Sequence, residues 1–218
     1  MNCAELVTED DAQDFIRGLT LLGTGGGGRP DVGLDYLLPH VRAGRRIAWV
    51  PPEAIADDAW VCIVFGMGSI APTRPLSVEE RMALGYPAEW RIPRPMVRAV
   101  EELQAHTGKR VGAILPFELG AANTAAPLDT ALRLGVPVVD GDCAGRAIPE
   151  LAQTTATLAG ISFAPGAVAD PWGNVLIVKE TAGDLSEIRA GLWQRCSRGR
   201  SAARSSWPAC SRSGISRS

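Results

Sequence analysis

The sequence is poor in histidine and has no closely spaced cysteine pair. Only two of its 218 residues are histidine, His40 and His106, and they lie far apart. This scarcity argues against a catalytic metal centre built from several histidines. The five cysteines show no C-x-x-C spacing. We therefore interpret them as reduced thiols of a cytoplasmic protein, and not as a zinc site or a disulfide framework.

Long apolar runs and a strong excess of positive charge are also missing. No stretch approaches the roughly 20 apolar residues of a membrane-spanning helix, and the acidic start at residues 5–11 is unlike a signal peptide. The net charge is −2, but residues 195–218 contain six arginines and no acidic residue, so residues 1–194 carry −8. An acidic body of this kind gains little from phosphate contacts, which excludes nucleic acid and membrane as expected partners.

The order of apolar segments predicts an α/β domain over residues 1–194. The predicted strands cover residues 47–50, 60–65, 111–115, 136–139 and 175–178. The predicted helices run from Thr8 to Gly23, from an Asp31 cap to near Gly44, from Pro95 to about His106, over 128–134, over 148–158 and over 184–193. Alternation of this type is typical of a mostly parallel or mixed sheet with helices on both faces.

The last part of the chain has a different composition. Six of the 24 residues in 195–218 are arginine and eight are serine, and neither helical nor strand periodicity is present. We interpret this segment as a disordered tail. A reading-frame slip in a GC-rich gene would give the same amino-acid composition.

A group of charged residues follows the predicted strand 136–139. Asp140 and Asp142 come directly after it, and Arg146 and Glu150 follow within eight residues. Buried strands of α/β folds place their chemistry at their carboxyl ends. A simple turn would explain the Asp–Gly pair, but it would not explain the arginine and the third carboxylate. We therefore predict catalytic roles for the three acidic residues and substrate binding by Arg146.

The neighbouring predicted strand, 111–115, leads to Glu118 and Asn123. Parallel strands present their carboxyl ends at one edge, so both side chains are expected to face the same crevice as Asp140 and Asp142. Glu118 is a candidate catalytic group and Asn123 a candidate substrate ligand. The alternative is that Asn123 or Thr124 caps a helix while Glu118 is a surface residue. Cys143 is not predicted to be a nucleophile, because nearby carboxylates raise a thiol pKa.

A glycine-rich loop follows the first predicted helix. It differs from a P-loop and from a dinucleotide-binding turn because it follows a helix and has no Gly-Lys-Ser/Thr ending. Its backbone N–H groups can line a pocket for an anion or a carbonyl oxygen. The alternative is a merely flexible loop. The predicted substrate-binding residues in it are Thr24, Gly25, Gly26, Gly27 and Gly28.

Four motifs in collinear order resemble the S-methyl-thiohydantoin desulfurase-like family. They are residues 22–28 (LGTGGGG), 117–124 (FELGAANT), 137–150 with its PVVDGD and GRAIPE parts, and Asp170 with Gly173-Asn174. The resemblance covers about residues 5–190. Relatives continue into a second, β-rich domain that is absent here, and many carry a more polar or aromatic residue in place of Ala122 and Cys143.

The resemblance implies action on a hydantoin-like ring bearing an S-methyl group, with release of methanethiol. Hydantoinase or oxoprolinase subunits are implied partners, and homo-oligomers are compatible with the sequence. Water attack on an amidine-like carbon needs a carboxylate base and an acid for the leaving group. No cofactor is predicted, although the carboxylates could hold a divalent cation. The alternatives are a non-catalytic ligand-binding module and an inactive truncated fragment.

Overall fold

The computed structural model describes residues 5–67, 77–83, 85–86, 88–89, 92–179 and 205–212. The predicted helix 184–193 lies outside these ranges. No helix of the described part is long and apolar enough to span a bilayer.

The main sheet has five strands in the order β4-β3-β7-β5-β6. These strands are β3 (Trp60–Met67), β4 (Ala113–Pro116), β5 (Gly166–Ala169), β6 (Val175–Val178) and β7 (Ser205–Arg212). Strands β3 and β4 are parallel, and the other pairings are antiparallel. A separate antiparallel pair joins β1 (Glu5–Leu6) to β2 (Ile47–Ala48). The predicted mixed sheet is therefore confirmed.

The chain around residues 136–140 extends the parallel part of the sheet. Val138 forms a parallel bridge with Ile114 of β4, and Val139 forms one with Val50. The ends of β3, β4 and the 136–139 segment consequently point toward the same edge of the sheet. This arrangement places the segments that follow them, including Glu118 and Asp142, on one side of the molecule.

Local sequence signals define several of the helices, which are α1 (Glu9–Gly23), α2 (Pro30–Arg42), α3 (Val78–Ala83), α4 (Pro95–Thr107), α5 (Ala121–Leu134) and α6 (Thr155–Leu158). Thr8 and Asp11 form a reciprocal capping box at the start of α1, which satisfies two backbone donors that a helix start leaves free. Pro95 occupies the first turn of α4, as predicted.

Helices cover both faces of the sheet. On one face, α4 and α5 pack on alternate sheet residues that include Cys62, Val64 and Ala167, and α1 and α2 pack in turn on α5. On the other face, Ile63, Phe65 and Val168 pack against the segment that contains α6. Successive side chains of β3 alternate between the two faces of the sheet and therefore belong to two separate hydrophobic clusters. The three-layer α/β class predicted from the sequence is confirmed.

Four sequence predictions of elements need correction. The helix before Gly135 begins at Ala121 and not near Leu128. Residues 148–154 form turns, and the helix there starts only at Thr155, capped by the Thr154 hydroxyl. The N-cap of α2 is Arg29, with Asp31 in the first turn. Finally, residues 205–212 form β7 between β3 and β5, where no regular structure was predicted.

Candidate active site at the carboxyl ends of the parallel strands

Glu118 lies two residues beyond β4 and is only 4% exposed. Its Oε1 accepts a hydrogen bond of 2.6 Å from Asn123 Nδ2. Its Oε2 accepts another, also 2.6 Å, from the backbone N–H of Ile148. Each carboxylate oxygen can accept further bonds. The carboxylate is therefore held by two donors from separate parts of the chain.

The pKa of Glu118 is raised above its ordinary value. Burial is the main cause, because removing a carboxylate from water favours its neutral form. The hydrogen bonds from Ile148 and Asn123 act in the opposite direction, and the nearby charge of Asp142 raises the pKa further. A carboxyl group whose pKa is raised in this way suits proton transfer.

Asn123 connects Glu118 to the end of β3. Its Oδ1 accepts from the N–H of Gly66 at 3.0 Å, and its Nδ2 donates to the carbonyl of the same glycine at 3.0 Å. An added Cβ on Gly66 would lie 3.1 Å from Asn123 Oδ1, so a larger residue would have to displace the amide by a few tenths of an ångström. The amide therefore ties β3 to Glu118. The alternative in which Asn123 caps α5 is wrong, since the N-cap is Gly120.

Asp142 organises the turn that faces Glu118. Its Oδ2 accepts from the backbone N–H groups of Ala144 and Gly145, at 3.0 and 2.6 Å. The intervening Cys143 is buried, and its N–H donates to the carbonyl of Phe117. Burial and the charge of Asp142 raise the pKa of the Cys143 thiol to about 12. The thiol is consequently kept in its unreactive neutral form.

The glycine-rich loop packs directly onto this cluster. The carbonyl of Gly27 accepts hydrogen bonds from the N–H groups of Ala122 and Asn123, so the loop closes the start of α5. Gly27 has φ +70°, and a Cβ there would lie 2.4 Å from Gly120 Cα. A Cβ on Gly26 would lie 2.7 Å from that of Ala147. Glycine is therefore required at positions 26 and 27 because the backbone packs closely against its neighbours, and not because the loop must be flexible.

Part of the glycine loop remains available for a ligand. Within the described ranges, the N–H groups of Gly25, Gly27 and Gly28 donate to no protein acceptor. Thr24 is exposed, and it adopts a left-handed conformation with φ 47°. Its neighbour Gly25 is also exposed, with φ 94°. The loop therefore presents unpaired donors beside the Glu118 cluster.

Three predicted residues are not drawn into the buried cluster. Asp140 is exposed, and its backbone N–H is bound to the Val50 carbonyl. Arg146 is exposed as well, and its Nε donates only to the neighbouring Ala147 carbonyl, at 3.1 Å. Glu150 lies exposed in the turn before α6. None of the three side chains makes an ion pair with another described residue.

One contact of Glu118 has no sequence signal. The N–H of Ile148 reaches Glu118 from a position 30 residues later in the chain. A backbone donor has no side-chain identity, so only the folded path of residues 143–148 could reveal it. Across the described part of the chain, no group of three or more histidine, cysteine, aspartate or glutamate side chains is arranged to hold a metal ion.

Comparison with known proteins identifies a family and a related fold. The S-Me-THD-like, N-terminal domain family matches residues 10–180. A crystal structure of a protein from Chromobacterium violaceum shares the fold, with a TM-score of 0.71 and 21% identity. The match covers 94% of this chain and 54% of that protein, so the chain spans about half the length of its structural relative. No functionally curated protein matches the sequence.

Proposed function

The chain belongs to the S-Me-THD-like family, whose N-terminal domain it contains, and on this premise we propose a hydrolytic activity on a cyclic ureide or S-methyl-thiohydantoin ring. In the proposed reaction, water adds to the ring carbon that carries the sulfur. The new C–O bond replaces the C–S bond, methanethiol leaves with one of the water protons, and the other proton goes to the ring nitrogen as the C=N bond becomes C–NH. The remaining product is the oxygen-containing ring.

The observation that carries this proposal is the environment of Glu118. A carboxyl group that is almost fully buried, with a raised pKa and two fixed donors, is suited to move a proton. Glu118 takes a proton from the attacking water and returns it to the departing sulfur or to a ring nitrogen. The hydrogen bonds from Asn123 and Ile148 hold the carboxylate in one orientation, which reduces the reorganisation that the reaction requires.

The surrounding groups bind and orient the ring in this proposal. The unpaired N–H groups of the glycine loop at Gly25, Gly27 and Gly28 hold a ring carbonyl oxygen or an anionic substituent. Asp142, which is half-buried beside Glu118, supplies negative charge that favours positive charge on the ring during water attack. Arg146 lies at the exposed end of the same segment and receives a carboxylate substituent.

The proposed enzyme works with further protein components. The chain spans about half of its structural relative, and hydantoinase or oxoprolinase subunits, which act on related rings, are the proposed partners. Such partners would complete the site on its open side, next to the half-exposed residues Gly66, Met67 and Asp142.

A direct assay tests the proposal. The protein is incubated with an S-methyl-thiohydantoin, and methanethiol is measured with a chromogenic thiol reagent. We expect the wild-type protein to release methanethiol and Glu118→Gln to abolish the release. The control Glu53→Gln removes an exposed carboxylate of the Pro52–Ala54 turn and is expected to retain activity. Ring binding without any methanethiol release would refute hydrolysis and favour a binding module.

A further inference from the structure

A second cluster of charged residues lies within the helical layer. Asp129 of α5 is 1% exposed, and the side chains of two arginines and one histidine converge on it. Arg133 Nε donates to Asp129 Oδ1 at 2.8 Å, and His40 Nε2 lies 2.7 Å from the same oxygen. Arg94 Nε lies 3.5 Å from Oδ2. One buried carboxylate thus anchors two arginines that extend toward the surface.

Arg94 is held by two further contacts. Its guanidinium lies over the ring of Tyr36, 5.0 Å from the ring centroid. Its Nη2 donates to the carbonyl of Asp35 at 3.3 Å. A long side chain normally loses much conformational entropy when it binds a ligand. Here three different contacts already restrict the guanidinium, so the cost of ordering it for binding is reduced.

These arginines line an open cavity of about 700 Å³. Four arginines contribute to its wall, Arg45, Arg94, Arg98 and Arg133, against one acidic lining residue, Glu101. Apolar side chains, among them Ile92, Val97 and Leu132, form the rest of the lining. The combination of a partly apolar surface with several guanidinium groups is unusual on a body whose overall charge is negative.

Not all of the positive charge is neutralised by neighbours. Arg98 pairs with Glu102, one turn along α4. Arg45, in contrast, is exposed, and its side chain has no ion-pair partner within the described part of the chain. Asp129 is shared by Arg94, Arg133 and His40. The cavity wall therefore retains guanidinium donors for an incoming anion.

The cavity is separate from the Glu118 site. Glu118 lies just before α5 and Asn123 in its first turn, whereas Arg133 lies in its last turn. Ten residues of helix separate Asn123 from Arg133, which corresponds to about 15 Å along the axis. A ligand in this cavity would not occupy the position proposed for the hydantoin-like ring.

We propose that this cavity is a binding site for a small organic molecule that carries phosphate groups. Arginine forks bind phosphate oxygens through paired, charge-assisted hydrogen bonds. The volume lies within the roughly 300–1,000 Å³ that is typical of small-molecule sites. The apolar lining provides contact for the organic part of such a molecule.

Titration calorimetry with pyrophosphate as the probe, at constant ionic strength, tests the proposal. We expect 1:1 binding to the wild-type protein. The double variant Arg45→Gln/Arg98→Gln is expected to lose affinity for pyrophosphate by about tenfold or more, since it loses charge-assisted hydrogen bonds. The matched control Arg17→Gln/Arg42→Gln removes two exposed, ion-paired arginines elsewhere and is expected to bind as the wild type does.

Further arms of the same experiment decide what the site recognises. Arg94→Lys keeps the positive charge but loses the planar fork, so it is expected to weaken pyrophosphate binding as well; its melting curve verifies that it is folded. Equal affinity for citrate would overturn the assignment to phosphate. Binding of a polyglutamate peptide without pyrophosphate binding would assign the surface to an acidic protein. Unchanged affinity in Arg45→Gln/Arg98→Gln would remove the site from this cavity.

Discussion

The raised pKa of Glu118 makes the stability of the protein depend on pH. Its folded-state pKa lies above the value of 4.5 that applies to the unfolded chain. Between these two values the folded state binds more protons, so the free energy of unfolding decreases as pH rises. The stability contribution is complete below 4.5 and is lost as pH rises through the folded pKa. We expect Glu118→Gln to abolish this decrease, as measured by denaturant titrations across the pH range.

The comparison between the two proteins isolates the ionisation of Glu118. Glutamine resembles the protonated acid and does not titrate. The free energy of unfolding of the wild type should therefore exceed that of Glu118→Gln by the largest amount at acid pH, and this difference should decrease as pH rises. A constant difference between the two proteins at all pH values would contradict the raised pKa.

The buried thiol of Cys143 is expected to resist alkylation. With a pKa of about 12, it is almost entirely protonated at about pH 8, and thiolate is the reactive form. Iodoacetamide followed by peptide mass spectrometry should find Cys143 unmodified in the folded protein and modified after denaturation. Rapid labelling of Cys143 in the folded state would show an accessible thiolate and would contradict the structure.

Arg146 is expected to contribute to ligand binding and little to stability. Its only described hydrogen bond is to the adjacent Ala147 carbonyl, and the side chain is exposed. Surface substitutions of this type usually change stability by about 0.5 kcal/mol or less. Arg146→Lys should therefore weaken binding of a carboxylate-bearing hydantoin with nearly unchanged melting temperature. A large fall in melting temperature with intact binding would indicate a structural role.

At the scale of elements, local signals predicted some parts and missed others. The Thr8–Asp11 capping box, Pro95 and the apolar run of β3 determine their elements through short-range chemistry, and these elements were predicted. The first half of α5 was missed because its alanine-rich sequence and Pro127 give weak helical periodicity. Its start is instead closed by the carbonyl of Gly27, from almost a hundred residues earlier. Sequence patterns cannot show such distant closure.

The glycine loop provides a test of that distant closure. Both Gly25 and Gly27 have positive φ, so alanine at either position costs roughly 1–2 kcal/mol of backbone strain. Only at Gly27 would the added Cβ also meet Gly120, at 2.4 Å, whereas that of Gly25 would meet nothing within 4 Å. We expect Gly27→Ala to lower the free energy of unfolding clearly more than Gly25→Ala, as measured by urea denaturation. Equal losses would show that the loop does not pack on α5.

At the scale of the whole molecule, the two candidate sites differ in how much of each could be predicted from the sequence. Glu118 and Asp142 lie within a few residues of strand ends, and Asn123 lies in the helix that follows β4, so the geometry of a parallel sheet suffices to predict their common edge. The arginine cavity is lined by residues of α4 and α5, by the segment before α4 and by Arg45 after α2, and these residues have no shared motif. Buried Asp129 is recognisable as an anchor only after the three helices have packed. Tertiary packing of this kind is invisible to periodicity and spacing.

The position of β7 makes the C-terminal segment part of the sheet. Eight consecutive residues of β7 pair with β3, and its other side contacts β5 at two register positions. Without β7, the pairing that connects the β3–β4 half to the β5–β6 half would be lost, and two strand edges would be left open. The sequence alone predicts the opposite, because residues 195–218 lack strand periodicity and their ordering costs roughly 1–2 kcal/mol per residue.

Truncation after Gln194 distinguishes these two expectations. From the sheet order, we expect the shortened chain to melt at a clearly lower temperature than the full chain, in scanning calorimetry of both proteins. Limited trypsin digestion provides an independent measurement, because the strand pairing of Arg212 with Trp60 should protect the bond that follows this arginine. An unchanged melting temperature together with rapid cleavage after Arg212 would show that the sheet is stable without β7, and that the C-terminal segment contributes nothing to the fold.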